Sequence, residues 1–176
     1  MIMRPGEPLL LPVKPLFIAA TLLVAMLGTM MINMAVAGRV AWQPDLLALV
    51  LVFWGVHQPL RVGLGLAFVF GLAIDVHQGA LLGQHAWAYT LLSFLAITIH
   101  RRLLWFSLPV QALHLVPLFA ASHALALALQ ALAGGVNVDW QLLAAPLIEA
   151  ALWPVATALL LAPQRRAPDP DVHRPL

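Results

Sequence analysis

Charge is what this chain has least of. Of its 176 residues only 9% are Asp, Glu, Lys or Arg, and seven of them are acidic, whereas about a quarter of a soluble domain is charged. Together with a 62% share of hydrophobic residues and a mean hydropathy of +0.94, that scarcity excludes a soluble fold and points to an integral membrane protein. Cysteine is absent, which excludes disulfides and thiolate metal sites and leaves the compartment open. The basic residues form no long run, so nucleic acid is not an expected partner. Catalytic signatures are missing as well. There is no Gly-x-Ser-x-Gly elbow and no His-Glu-x-x-His pair, and the adjacent Ser122 and His123 diverge on a helix. Gly63, Gly65 and Gly71 lie inside an apolar span, where close helix packing explains them better than a phosphate-binding loop does. No catalytic, cofactor-binding or metal-binding residue is therefore assigned, and the chain is read as non-enzymatic.

What is there is a series of apolar runs. Six stand out, at about 16–37, 45–58, 62–75, 80–99, 109–133 and 140–162, and they predict an all-α, polytopic membrane protein with six transmembrane helices. The second and third are short. At ~1.5 Å per residue each reaches ~20 Å against a hydrocarbon core of ~30 Å, so they either thin the membrane or form a re-entrant pair. The expected organisation is a cytoplasmic tail over 1–15, a six-helix bundle over 16–162 and a basic, disordered cytoplasmic tail over 163–176.

The basic residues orient the bundle. With a cytoplasmic N-terminus, Arg4, Lys14, Arg61, Arg101, Arg102, Arg165, Arg166 and Arg174 all fall inside and only Arg39 falls outside, the asymmetry that the positive-inside rule demands. "AVAG" at 35–38 looks like a signal-peptidase site, but the apolar run before it exceeds the ~7–15 residues of a cleaved signal. It is expected to remain as the first helix.

That topology places "GLAIDVHQGALLGQHAWAY", residues 71–89, at the outer face. Asp75 ends the third helix there. Stepping back by fours from it gives Gly71, Ala67 and Gly63, a ridge of small residues that lets helix backbones approach closely. The Asp75 carboxylate can accept hydrogen bonds from the turn through Gly79 and Gly83 or from the start of the fourth helix, at Gln84 and His85. Two readings stay open. Asp75 and Gly79 make a sharp turn and no more, or the turn is also a docking point for another protein, with the segment from His57 to Arg61 as a second one inside.

Glu149 falls near the middle of the sixth helix, where a carboxylate is expensive in lipid and either neutralises or finds a partner. His114 and His123 of the fifth helix are the candidates. Those two are nine residues apart and face opposite sides of their helix at ~100° per residue, so they do not form a metal pair. His77 and His85 flank the outer turn, and His57, His100 and His173 belong to the inner boundary. Met26, Met30 and Met34 recur every fourth residue, an adaptable face that fills the bundle or receives a partner helix. Trp42, Trp87, Tyr89 and Trp140 read as an outer aromatic belt and Trp105 as its inner counterpart. Pro117, Pro146 and Pro154 are expected to kink the last two helices.

Residues 44–89 resemble the MreD family of bacterial rod shape-determining membrane proteins. The matching parts come in order: Pro44-Asp45, Pro59 with Arg61, Gly71, Asp75, Gly79, and Leu82-Gly83, followed much later by "ALWP" at 151–154 and a basic tail. The resemblance implies a bacterial inner-membrane subunit of the cell-elongation machinery, concerned with peptidoglycan synthesis. Its implied partners are an MreC-like bitopic protein, a RodA-like glycosyltransferase, a class B penicillin-binding protein and, indirectly, an MreB-like filament, besides membrane lipid and a second copy of the chain. The family has no known catalytic residues to carry over. Its fold is similar to the substrate-binding subunits of energy-coupling-factor transporters, which keeps a small-molecule or lipid-binding role as the alternative.

Overall fold

The computed structural model describes residues 13–35, 43–134 and 144–164. They form six α-helices: α1 Pro15–Ala35, α2 Leu46–His57, α3 Leu64–Gln78, α4 Gln84–Leu103, α5 Leu108–Leu132 and α6 Ala144–Leu161, the last continued by a short 3-10 turn over Ala162–Gln164. Three stretches are long and apolar enough to cross a membrane: Pro15–Ala35, Leu108–Leu132 and Ala144–Gln164. Arg39, Trp42, Trp140, the basic residues from Arg165 onward, and nearly all of the proposed N-terminal tail lie outside the described residues.

The shortest helix is the centre of the molecule. The sequence of α2, LLALVLVFWGVH, is apolar on every side, the pattern of a helix that meets protein all round. It packs against α1, α4 and α6, and Leu47, Leu51, Val52, Phe53 and Trp54 are fully buried. Aromatic contacts and a few polar ties fasten it. Trp54 stacks edge-on to Phe17, with 6.0 Å between centroids, and donates from Nε1 to Thr21 Oγ1 at 2.9 Å. On the far side Phe53 meets Trp153 of α6 at 6.0 Å, and Trp153 Nε1 donates to Gln111 Oε1 of α5 at 3.0 Å. Outside this centre, α4 packs against α3 and α5, and α5 against α6.

Consecutive helices run in opposite directions, so one end of the bundle collects the starts of α2, α4 and α6 and the other their C-termini. The first holds Asp45, Asp75 and Glu149, and is called here the acidic end. The second holds Lys14, Arg61, Arg101 and Arg102, all exposed, and is called the arginine end. The turn from α2 to α3 reaches the level at which α1 begins, since the Arg61 guanidinium donates to the Val13 carbonyl oxygen.

Several boundaries differ from the sequence expectation. α3 continues past Asp75 to Gln78 and stops at Gly79, whose φ of 58° is left-handed and whose N–H turns back to α3 carbonyls. Asp75 thus stands in the last turn rather than at the terminus. α4 starts and ends about four residues later than the apolar run, because Arg101 and Arg102 sit in its last turn, where the dipole favours cations. Pro146 lies in the first turn of α6, where its missing N–H disrupts nothing; Pro117 and Pro154 are within their helices.

The small-residue ridge is shorter than it reads. Ala67 is fully buried, and a Cβ on Gly71 would lie 2.3 Å from Ala86 Cα, so only glycine admits α4 at this distance. Gly63 is the N-cap of α3 and nothing lies within 4 Å of where its side chain would be. It starts the helix and takes no part in packing.

Candidate functional site at the acidic end

Helices α2, α4 and α6 point their N-termini toward the acidic end, and each N-terminus carries N–H groups without an intrahelical acceptor. For α2 and α4, carboxylates supply the acceptors. Asp45 is the N-cap of α2, and its Oδ1 accepts from Leu47 N at 3.0 Å and Ala48 N at 3.1 Å, the ordinary capping geometry. Two other helices reach the same carboxylate: Thr29 of α1 donates to Oδ1 at 3.2 Å, and the Tyr89 hydroxyl of α4 donates to Oδ2. Asp45's own backbone N–H donates to Glu149 Oε1 of α6 at 3.0 Å. Glu149 so performs from another helix the service that a capping-box glutamate performs from the third helical position.

Asp75 acts likewise on α4. The N-cap of that helix is Gly83, which has no side chain to offer. Asp75, from the end of α3, takes its place: Oδ2 accepts from Gly83 N at 2.9 Å and Ala86 N at 3.4 Å, and Oδ1 from His85 N at 2.8 Å. The His85 ring also bonds Oδ1 through Nδ1 at 2.8 Å. Asp75 is fully buried, so its carboxylate meets only the chain itself. Above it the turn shows apolar side chains, with Val76 71%, Leu82 69% and Trp87 57% exposed. Gln84 is half-buried at the first position of α4, and its N–H bonds the Leu81 carbonyl at 2.9 Å.

Glu149, also fully buried, meets His123 of α5: Nε2 lies 3.0 Å from Oε1 and 3.1 Å from Oε2. His114 is elsewhere, exposed on α5 toward the arginine end, stacked on Phe106 at 4.7 Å and bonded through Nδ1 to the Val110 carbonyl. His77 is exposed, and His57 is half-buried, stacked on Phe53 at 4.2 Å rather than solvated. Met26 and Met30 pack on the core while Met34 is 74% exposed. Tyr89 does not belong to an aromatic belt: it is buried and spent on Asp45. Trp87 and Trp105 are exposed at opposite ends.

The centre of the site is thus Asp45, a hub joining α1, α2, α4 and α6. Its signal was present in the sequence as an Asp directly before the apolar run LLALV, the pattern of a helix N-cap. Nothing in the pattern marked Tyr89 or Thr29 as its partners. Asp45 bonds Thr29, six residues before α1 ends, so the hub is recessed ~9 Å below that end. A cavity of about 110 Å³ opens beside it, lined by Thr29, Asn33, Asp45, His85, Tyr89 and His123 among others. Asn33 Nδ2 is buried there without a hydrogen-bond partner among the described residues. Among the described residues no three His, Asp or Glu side chains are grouped to hold a metal ion. Chemically, the arrangement fixes helix ends against one another and leaves a small polar recess.

A family model described as rod shape-determining protein MreD matches residues 13–162, from the residue bonded by Arg61 to the first residue after α6. No curated protein and no solved structure matches the chain.

Proposed function

Because the chain belongs to the MreD family of rod shape-determining membrane proteins, we propose that it is a non-catalytic scaffold subunit of the bacterial cell-elongation complex. In this reading it crosses the inner membrane six times with both termini in the cytoplasm. It binds an MreC-like bitopic protein and helps to position a RodA-like glycosyltransferase and a class B penicillin-binding protein. The alternating helix directions support six crossings, and the four described bases, all at one end, support a cytoplasmic arginine end. α2 meets mainly other helices, so its shortness need not expose backbone to lipid.

One observation carries the scaffold reading. Every described carboxylate is occupied in bracing a helix start, while the turn so held, residues 76–83, turns Val76, Leu81 and Leu82 outward. Rigid apolar display on a polar frame suits protein docking. Asp75 supports this surface from below without touching a partner, so Asp75→Leu would confound docking with folding. Leu82→Glu is the cleaner test. It should sharply reduce recovery of a co-purifying MreC-like protein while the amount of folded chain in the membrane stays unchanged. Undiminished recovery would remove the 76–83 turn from the proposal.

The recess beside Asp45 favours a second reading, a small-molecule or lipid-binding subunit related to energy-coupling-factor transporters. At about 110 Å³ it has room for a few waters, at ~30 Å³ each, or a group of similar size. Native mass spectrometry after gentle extraction would detect a retained small molecule, and an unliganded mass throughout would remove this reading.

A further inference from the structure

α1 and α3 touch little along their length, and the gap between them is a groove of about 570 Å³ that opens sideways from the bundle. Its walls are Ile18, Ala19 and Leu23 of α1 with Leu66 and Phe70 of α3, and Arg61 stands at its arginine-end mouth. Arg61 is exposed, and its guanidinium donates to the Val13 carbonyl oxygen. Among the described residues no carboxylate pairs with it. Lys14, next to Val13, is exposed as well, and Leu60, next to Arg61, is fully exposed. An apolar channel closed by cations that pair with no described carboxylate is complementary to a molecule with an apolar tail and an anionic head. A guanidinium keeps several N–H donors in a fork that fits phosphate oxygens, and basic pockets between helices at the membrane surface take anionic headgroups.

We propose that the α1–α3 groove is a binding site for an anionic phospholipid, with an acyl chain along Ala19, Leu23 and Phe70 and the phosphate on Arg61, assisted by Lys14. The site stands on the chain spanning a membrane and is independent of the scaffold reading: lipid retention and partner recovery are separate measurements. It lies on the opposite side of α1 from α6 and at the other end of the bundle from the Asp45 recess.

The test uses the full chain in detergent micelles doped with equal amounts of phosphatidylglycerol and phosphatidylcholine, with bound lipid counted by native mass spectrometry. Wild type should retain phosphatidylglycerol over phosphatidylcholine by about fivefold or more, as expected for one or two basic contacts. Arg61→Gln should abolish that preference and Arg61→Lys should keep most of it. Ala19→Trp, at an exposed position on the groove wall, should reduce retention of both lipids by filling the channel, with Arg61 intact. Equal retention of the two lipids by wild type, or an unchanged preference in Arg61→Gln, overturns the headgroup site. Unchanged retention in Ala19→Trp overturns the groove. Should Arg61→Gln fail to fold for want of its tie to Val13, Ala19→Trp and Lys14→Gln decide the matter.

Discussion

The two ends of the bundle treat charge in opposite ways. At the acidic end Asp75 and Glu149 are fully buried and Asp45 is half-buried, each held by two or more donors from neighbouring elements. At the arginine end Lys14, Arg61, Arg101 and Arg102 are all exposed. Backbone direction explains the difference. Antiparallel order puts the starts of α2, α4 and α6 at one end, and their orphaned N–H groups need acceptors that apolar side chains cannot supply. At α2 and α4 carboxylates are drawn inward to meet them. The C-termini at the opposite end present carbonyls that water, interfacial groups or long flexible cations can satisfy from outside. A chain with few charges has thus placed its buried ones where helix polarity makes them stabilising.

Removing the hub is the harshest way to break this contrast. Asp45→Ala deletes the α2 cap and leaves Thr29 and Tyr89 without their acceptor. Unfolding in mixed micelles should show a loss of about 2 kcal/mol, about half from the cap and the remainder from two interhelical bonds. A smaller loss than that of an exposed arginine would show that the acidic end does not hold the bundle. Asp75→Asn is gentler. It keeps the shape and one carbonyl acceptor while giving up the charge, and an amide in place of the second oxygen faces the N–H groups of α4. The expected loss is about 1 kcal/mol in the same assay. Wild-type stability in this variant would mean that the turn is held without the Asp75 charge.

Local and distant partners differ in how far they can be read from sequence. The contacts of Asp75 lie 8 to 11 residues onward, within one turn between two apolar runs, so the position of the runs nearly dictates them. Glu149 and His123 are 26 apart, on successive helices, where antiparallel pairing narrows the choice; helical spacing alone left His114 in contention. Asp45 N to Glu149 spans 104 residues, and no periodicity within one helix tells which distant helix will face it. The helix count was visible because each apolar run is bounded by polar or turn residues. The centrality of α2 is written in its all-round apolarity, while its length of 12 residues fits a short membrane segment equally well. The position of Tyr89 is ambiguous in the sequence for a related reason. An amphipathic ring near a boundary fits both an interfacial anchor and a buried hydroxyl donor, and only the packing of α4 against α2 separates the two.

The gentlest test falls on the arginine end. Arg101 and Arg102 stand in the last turn of α4, exposed and without an ion pair among the described residues. The dipole attraction there is screened by solvent, and exposed substitutions away from caps and cores stay within about 0.5 kcal/mol. The double variant Arg101→Gln, Arg102→Gln should therefore unfold in micelles as wild type does, while losing two of the charges that orient the chain in the proposed topology. Labelling of a single cysteine introduced into the α4–α5 turn, in whole cells, would read the second effect: a population labelled from the outside should appear. A clear loss of stability in micelles would mean that cations at this end brace helix termini just as the carboxylates do at the other, and the contrast between the ends would then be one of exposure rather than of purpose.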